Sequence, residues 1–380
     1  MKFSDIAGHN ETIASLRSIV DGGKIPHAIL ISGVSGIGKF RLARALAQYI
    51  HCGQRTGGDS CGRCPSCLQH QKHNNPDLHF IYPIVKKDGK GLSTDYIDEW
   101  KEMLSEWSYM PPERWNDILN AGNSQPAIYV TESEDIISRA SLSAFQENYK
   151  IFLIWLPEKM RVEAANKLLK IIEEPFEDTL FILVSNDDSK VLPTVFSRTR
   201  RFHLRPLNGE EIASHLAHEK GVNREVAETA SRIAEGSMGV AQQLACHPDE
   251  FMEFTGLFKE IMRMAYGLKA GVLRQLSERC AVMGREKLVR FLSYCGRMIR
   301  ENFIYNMRVG PLSLLTPEEE AFSQRFSPFI HEGNVEGLSE EIARAISDIE
   351  RNANAKIVMF DLMLLLSQWV RMPKPAVLPL

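Results

Sequence analysis

Seven residues constrain this fold more than any others: Gly33-Val-Ser-Gly-Ile-Gly-Lys39. A phosphate-binding loop reads Gly-x-x-x-x-Gly-Lys-Ser/Thr. Its backbone N–H groups surround the phosphates, its lysine reaches the β and γ oxygens, and its hydroxyl binds Mg²⁺. Gly33, Gly36, Gly38 and Lys39 are all in place, but the next residue is Phe40, which cannot bind a metal. Before the loop, His27–Ser32 reads as a short buried strand. After it, Lys39–Ile50 is rich in Ala and Leu and reads as a helix. Strand, glycine loop and helix form the context such a loop requires, with free N–H groups and the helix dipole favouring anions.

A second metal requirement fails as well. Phosphoryl chemistry on this loop needs an acid at the end of a neighbouring strand, to hold Mg²⁺ and polarise the attacking water. The strand Lys150–Trp155 runs into Leu156-Pro157-Glu158, so Trp155 and Leu156 stand where the acids belong. Glu158 lies beyond the strand and behind a proline. It reads as a solvated loop carboxylate or a helix N-terminal acid. Losing both metal-holding groups costs orders of magnitude in rate, so hydrolysis by this chain is not expected. Gly33, Gly36, Gly38 and Lys39 remain the nucleotide-binding candidates. Occupancy by ATP is left open, because Phe40 removes the metal hydroxyl and crowds the pocket.

The other strands expected are Leu78–Tyr82, Thr179–Val184 and Arg201–Leu204, and helices lie between them. Asn10 is placed as the N-cap of a first helix, and Thr131-Glu-Ser-Glu134 as a capping box opening another. Glu163–Glu174 is a helix stopped by Pro175. Alternation of strands and helices gives a parallel sheet covered on both faces. Residues 86–127, with scattered Gly and Pro, read as a polar surface insertion holding one helix near Asp95–Trp107. After Pro206 the pattern is helical only. The fold class is therefore an α/β phosphate-loop domain over 1–207, a small three-helix lid over 208–248, and an all-α domain over 249–372. Residues 373–380 form a flexible tail.

Cys52, Cys61, Cys64 and Cys67 place four thiols within sixteen residues. Four thiolates suit a closed, tetrahedral, structural Zn²⁺ site with no open position. Gly53, Gly57, Gly58 and Gly62 supply the turns. An iron–sulfur cluster and a Cys-x-x-Cys redox pair are the alternatives. His51, His70 and His73 are read as surface residues, and Cys246, Cys280 and Cys295 as buried core. Clustered cysteines in a chain without an apolar signal region point to reducing cytoplasm. Ile357–Leu366 carries Asp361 and is too short to span a bilayer, so it reads as a buried helix. The 45 Lys and Arg against 48 Asp and Glu give a net charge of −3. That removes the electrostatic case for tight nucleic-acid binding by the chain alone.

Leu192-Pro-Thr-Val-Phe-Ser197-Arg198-Thr199 lies between the last two strands. Arg198, with Ser197, can reach a neighbouring subunit's γ-phosphate in an oligomer of such domains; the bland reading is a surface salt bridge. Ser185 and Asn186, ending their strand, read either as a γ-phosphate sensor or as strand-end caps.

Taken together, these pieces resemble the AAA+ subunits of bacterial sliding-clamp loaders over most of the chain. Phe3-Ser-Asp-Ile-Ala-Gly8 resembles the family's N-terminal box beside the adenine pocket, and Ile25-Pro-His-Ala28 precedes the loop as it does there. The cysteine module after the loop helix is a clamp-loader trait. Ala164–Pro175 is similar to the family's Asn-Ala-Leu-Leu-Lys-Thr-Leu-Glu-Glu-Pro signature. Ser197-Arg198-Thr199 matches its Ser-Arg-Cys finger with Thr199 in place of Cys, and Asn352-Ala-Asn354 before an apolar helix resembles its collar domain. The active members keep the hydroxyl, the acids and a lid arginine, for which this chain has Phe40, Trp155, Leu156 and Gly239. The resemblance implies a non-hydrolysing member of a hetero-pentameric ring containing ATPase and delta subunits. It implies a sliding clamp and primer–template DNA as further partners, and no membrane. Two competing readings are an active AAA+ motor and a zinc-dependent nucleic-acid-binding module on a degenerate scaffold.

Overall fold

The computed structural model describes the chain except residues 88, 107–108, 120, 122–123, 147, 247, 308–313 and 375–380, and except the side chains at 113, 117, 220, 246, 248 and 286. Most of the expected tail thus lies outside the described residues, as do the C-terminal residue of the expected Asp95–Trp107 helix and the burial of Cys246. The chain divides into two compact units, Met1–Gln242 and Gln243–Leu380.

In the first unit five parallel strands, β1 (Ala28–Ser32), β2 (Leu78–Ile81), β3 (Lys150–Trp155), β4 (Thr179–Ser185) and β5 (Arg200–His203), lie in the order β2-β3-β4-β1-β5. The glycine loop leaves the carboxyl end of β1, where open α/β sheets bind ligands. β1, β3 and β4 are buried along their whole length, as a sheet covered on both faces demands. Alternate residues serve different cores. Ile29, Ile31, Ile151, Leu153, Trp155, Ile182 and Val184 face one side; Ala28, Leu30, Phe152, Ile154, Phe181 and Leu183 face the other. β5 is an edge strand that keeps Arg200, Arg201 and His203 exposed or half-exposed, and such charges discourage edge-to-edge pairing.

The helices of this unit are α1 (Asn10–Asp21), α2 (Lys39–His51), α3 (Pro65–Gln71), α4 (Ile97–Glu106), α5 (Pro112–Ile118), α6 (Val130–Ala140), α7 (Val162–Glu173), α8 (Pro193–Phe196), α9 (Gly209–Lys220), α10 (Arg224–Ile233) and α11 (Met238–Cys246), whose last residues cross into the second unit. Two helix starts differ from expectation. Asn10 is the first helical residue, not the cap. His9 precedes it with φ 56°, its ring drawn inward so that Nε2 lies 2.9 Å from the Ile37 carbonyl. Thr131 sits inside α6, where its hydroxyl donates to the Gly91 carbonyl at 3.2 Å, while Glu134 pairs with Lys167.

The larger correction concerns residues 86–127, which are not a polar surface feature. Tyr96, Trp100, Met103, Leu104, Trp115 and Leu119 are buried in the principal core, and the segment contains both α4 and α5. Trp100 stacks on Tyr82 with centroids 3.9 Å apart and meets Trp115 edge-on at 5.2 Å. The Trp115 indole donates to the Pro83 carbonyl at 2.7 Å.

In the second unit, α12 (Pro248–Tyr266), α13 (Ala270–Ala281), α14 (Arg285–Asn306), α15 (Pro317–Phe326), α16 (Val335–Glu350) and α17 (Ala355–Val370) enclose a separate apolar core. Phe258, Leu292, Ile299, Leu338 and Met363 are fully buried there, and Cys280 and Cys295 are buried among them. Among the described residues no helix is long and apolar enough to cross a membrane.

Candidate functional site

The loop between β1 and α2 has the conformation its glycines permit. Gly36 and Gly38 have φ of 78° and 94°, a region costly for residues with a Cβ. Gly38 directly precedes α2, so the loop N–H groups gather at a helix N-terminus. Lys39 is buried. Its ammonium turns back to the Val34 carbonyl. Burial pulls its pKa down to about 7, partly offset by the Glu158 carboxylate.

The two positions that should hold a metal are joined by aromatic packing. Phe40 and Trp155 have ring centroids 6.4 Å apart, and both rings meet Trp100 from the 86–127 segment, at 5.7 Å and 5.4 Å. Phe80 completes the cluster, 6.2 Å from Phe40. An oxygen-seeking ion such as Mg²⁺ finds no ligand among these side chains.

Of the two readings of Glu158, the helix N-terminal acid holds: it lies in the first turn of the short 3-10 helix Pro157–Lys159 and is half-buried. Leu156, at φ 56°, turns the chain sharply after β3. Glu158 then accepts hydrogen bonds from the Ser185 hydroxyl at 2.8 Å and the Asn186 N–H at 2.9 Å. The Glu158 carboxylate thus ties the end of β3 to the end of β4. Arg198 lies just past α8, with its side chain 31% exposed, and pairs with Glu173 at the end of α7. It also donates to the Thr194 carbonyl at 2.8 Å and lies 3.3 Å from the Ser197 hydroxyl. The Glu173 pairing is the surface salt bridge of the bland reading; only its partner, Glu173, carried no local sequence signal.

Two contacts that sequence reasoning missed join the loop to α11. The Gly239 N–H donates to the Gly36 carbonyl at 2.9 Å, and the Ser237 hydroxyl to the Ser35 carbonyl at 3.2 Å. Gly239 has no side chain, and it brings backbone against backbone here.

The sulfurs of Cys52, Cys61, Cys64 and Cys67 all lie within 4.8 Å of one another, with Cys61 and Cys67 at 4.0 Å. Four sulfurs tetrahedrally around Zn²⁺ stand about 3.8 Å apart, from Zn–S of about 2.3 Å, so the residues fit that ion. Backbone N–H groups already point at the sulfurs: Cys61 to Cys52 at 3.3 Å, Cys64 to Cys61 at 3.3 Å, and Cys67 to Cys64 at 3.5 Å. N–H donors from Arg63 and Cys64 draw the Cys61 thiol down to about 6, whereas burial raises Cys52 and Cys67. The module is anchored by Asp59, which accepts from the Phe3 and Ser4 N–H groups at 3.1 Å and 2.9 Å. His51 and His70 are buried rather than on the surface. The His51 ring spans His70 Nε2 at 2.9 Å and the Tyr149 carbonyl at 2.8 Å, wedging the cluster against the sheet. His73 is half-buried, beside Arg44 at 2.9 Å.

Sheet order, glycine loop and filled metal positions define a phosphate-loop α/β protein with a degenerate nucleotide site. Comparison with known proteins narrows the class. The family model for "DNA polymerase III, delta subunit" matches residues 8–208, just over half of the chain. The chain belongs to this family of AAA+ clamp-loader proteins. The delta′ subunit of DNA polymerase III from Haemophilus influenzae is 30% identical over 208 residues, covering 54% of this chain and 51% of that protein. The tau/gamma subunit of the same organism is 27% identical over 216 residues, covering 57% of this chain and 25% of its own length. The Escherichia coli tau subunit is 27% identical over 247 residues, covering 64% and 32%. The match thus spans a quarter to a half of these relatives. Among solved structures, a gamma subunit-related protein of Thermotoga maritima aligns with TM-score 0.42 and 14% identity, over 94% of this chain and 99% of that one.

Proposed function

We propose that this chain is a non-hydrolysing subunit of the DNA polymerase III clamp loader, in the role of delta-prime. It takes a place beside an ATPase subunit in a hetero-pentameric ring that also holds a delta subunit. Arg198, with Ser197, is offered to that neighbour's ATP. The assembly opens the sliding clamp and places it on primer–template DNA in the cytoplasm. Residues 1–207 form the AAA+ core, 208–248 the lid, and 249–372 the collar that joins the ring. Cys52, Cys61, Cys64 and Cys67 hold a structural Zn²⁺, which draws the ends of their loop together and leaves no coordination position for chemistry.

The observation that carries the passive role is the Phe40–Trp155–Trp100 cluster, which puts aromatic carbon where a metal hydroxyl and a catalytic acid are needed. The similarity to tau/gamma subunits favours a motor as the second reading, and one assay separates the two. ATP turnover is measured for the purified chain alone and for its mixture with the cognate loader ATPase, with wild type or Arg198→Ala. The expected result is no turnover alone, and a rise in the mixture that Arg198→Ala diminishes while the complex still assembles. Robust hydrolysis by the lone chain means a motor. Unchanged turnover in a correctly assembled Arg198→Ala complex removes the finger.

A further inference from the structure

The mouth of the glycine loop is filled by the chain itself. Tyr109, between α4 and α5, lies over the loop. A Cβ placed on Gly38 would meet its Cε1 at 3.4 Å, and one placed on Gly239 would meet its Cβ at 3.4 Å. Met110 follows, buried, and with Phe40, Trp155 and Asn186 lines what remains of the pocket, a cavity of about 20 Å³. That is room for about one water molecule, not for a triphosphate.

Tyr109 also reaches α9. Its hydroxyl lies 3.1 Å from His215 Nε2, and the Arg41 guanidinium sits over its ring at 5.0 Å from the centroid. Arg41, from α2, pairs with Glu219 of α9 at 2.6 Å and donates to the Asp5 carbonyl at 2.6 Å, while His215 lies 2.9 Å from Glu219. Burial alone would raise the Glu219 carboxyl, but hydrogen bonds from His215 and Arg41 outweigh it and hold its pKa down to about 2. With the Ser237 hydroxyl on the Ser35 carbonyl and the Gly239 N–H on the Gly36 carbonyl, the α11 end is fastened to the loop as well.

We infer that Tyr109 and Met110 are internal occupants of the nucleotide site. Tyr109 and Met110 take the place of a phosphate-bearing ligand, and Tyr109 with Arg41 ties α9–α11 to the loop, so this unit is closed without nucleotide. The inference rests on the reading of residues 33–39 as a phosphate loop. The closure is independent of whether Arg198 acts on a neighbour.

The test is amide hydrogen exchange on the full chain, with and without excess ATP, in wild type, Tyr109→Ala, Tyr109→Phe and His215→Ala. In wild type, residues 34–38 and 237–241 are expected to exchange slowly and at the same rate with or without ATP. Tyr109→Ala is expected to speed exchange in both stretches by about tenfold or more, equivalent to about 1.4 kcal/mol of lost closure. His215→Ala removes the far end of the bridge without touching the loop and speeds exchange at 237–241. Tyr109→Phe keeps the ring over Arg41 and falls between wild type and alanine. ATP slowing exchange at 34–38 in wild type overturns the inference while upholding the phosphate-loop reading. Unchanged exchange at 237–241 in His215→Ala, or in a folded Tyr109→Ala, overturns the bridge.

Discussion

At the scale of single residues, the surroundings of the glycine loop differ in chemical type from what a metal-binding phosphate loop requires. Phe40 and Trp155 are large apolar rings at positions that demand oxygen ligands, and each supports the other by packing. Lys39 is the remnant that fits least well, an ammonium buried with one carbonyl partner. Its pKa is about 7 in the fold against an ordinary 10.5. The unfolded chain therefore holds this proton more tightly, so stability rises as pH climbs from about 7 towards 10.5, and the full penalty applies below 7. Lys39→Met is expected to stabilise the chain by at least about 1 kcal/mol near pH 6, with the gain shrinking as pH rises through 7 to 10. Denaturant melts across that range check it. A loss of stability at low pH would mean that the lysine is held by more than the Val34 carbonyl.

At the scale of elements, the cysteine module and the 86–127 segment were unequally legible. Four cysteines in sixteen residues announce themselves because metal-ligand spacing is local, and the fold brings their sulfurs together. The strands were readable for the same reason: each is a short apolar run beside a turn signal. The burial of 86–127 was hidden, because its apolar residues are diluted among Gly, Pro and charged side chains. Their partners are also distant in sequence: Tyr82, Phe40 and Trp155 for Trp100, and His215 for Tyr109. The burial of His51 and His70 was hidden likewise, since it depends on the Tyr149 carbonyl. For the cysteine module, a strong chelator is expected to release about one Zn²⁺ per chain and to speed amide exchange over residues 52–67. A natively purified chain containing no metal would count against the zinc assignment. Iron in its place, with visible absorbance, would identify a cluster instead.

At the scale of the whole molecule, the chain carries cores that share no residue. The second unit has its own, centred on Phe258, which meets Tyr294, Phe322 and Phe326 edge-on. Its polar anchor is Glu319, fully buried, accepting from the Tyr294 hydroxyl at 2.9 Å and paired with Arg297. Phe258→Ala is expected to destabilise this unit by about 3–5 kcal/mol. Zinc content and exchange at residues 34–38 should remain as in wild type. Calorimetry, metal analysis and exchange together read the outcome, and metal loss on Phe258→Ala would show that the two units fold as one.

The tyrosine over the glycine loop also bears on how such a chain fares in a living cell. A protein that binds ATP through such a loop can respond to the ATP concentration around it. With Tyr109 and Met110 in the mouth of the loop as inferred, this one is expected to have no inlet for that signal. The first unit is then expected to hold one shape whatever the ATP concentration, and ATP-competitive compounds are expected not to shift its exchange.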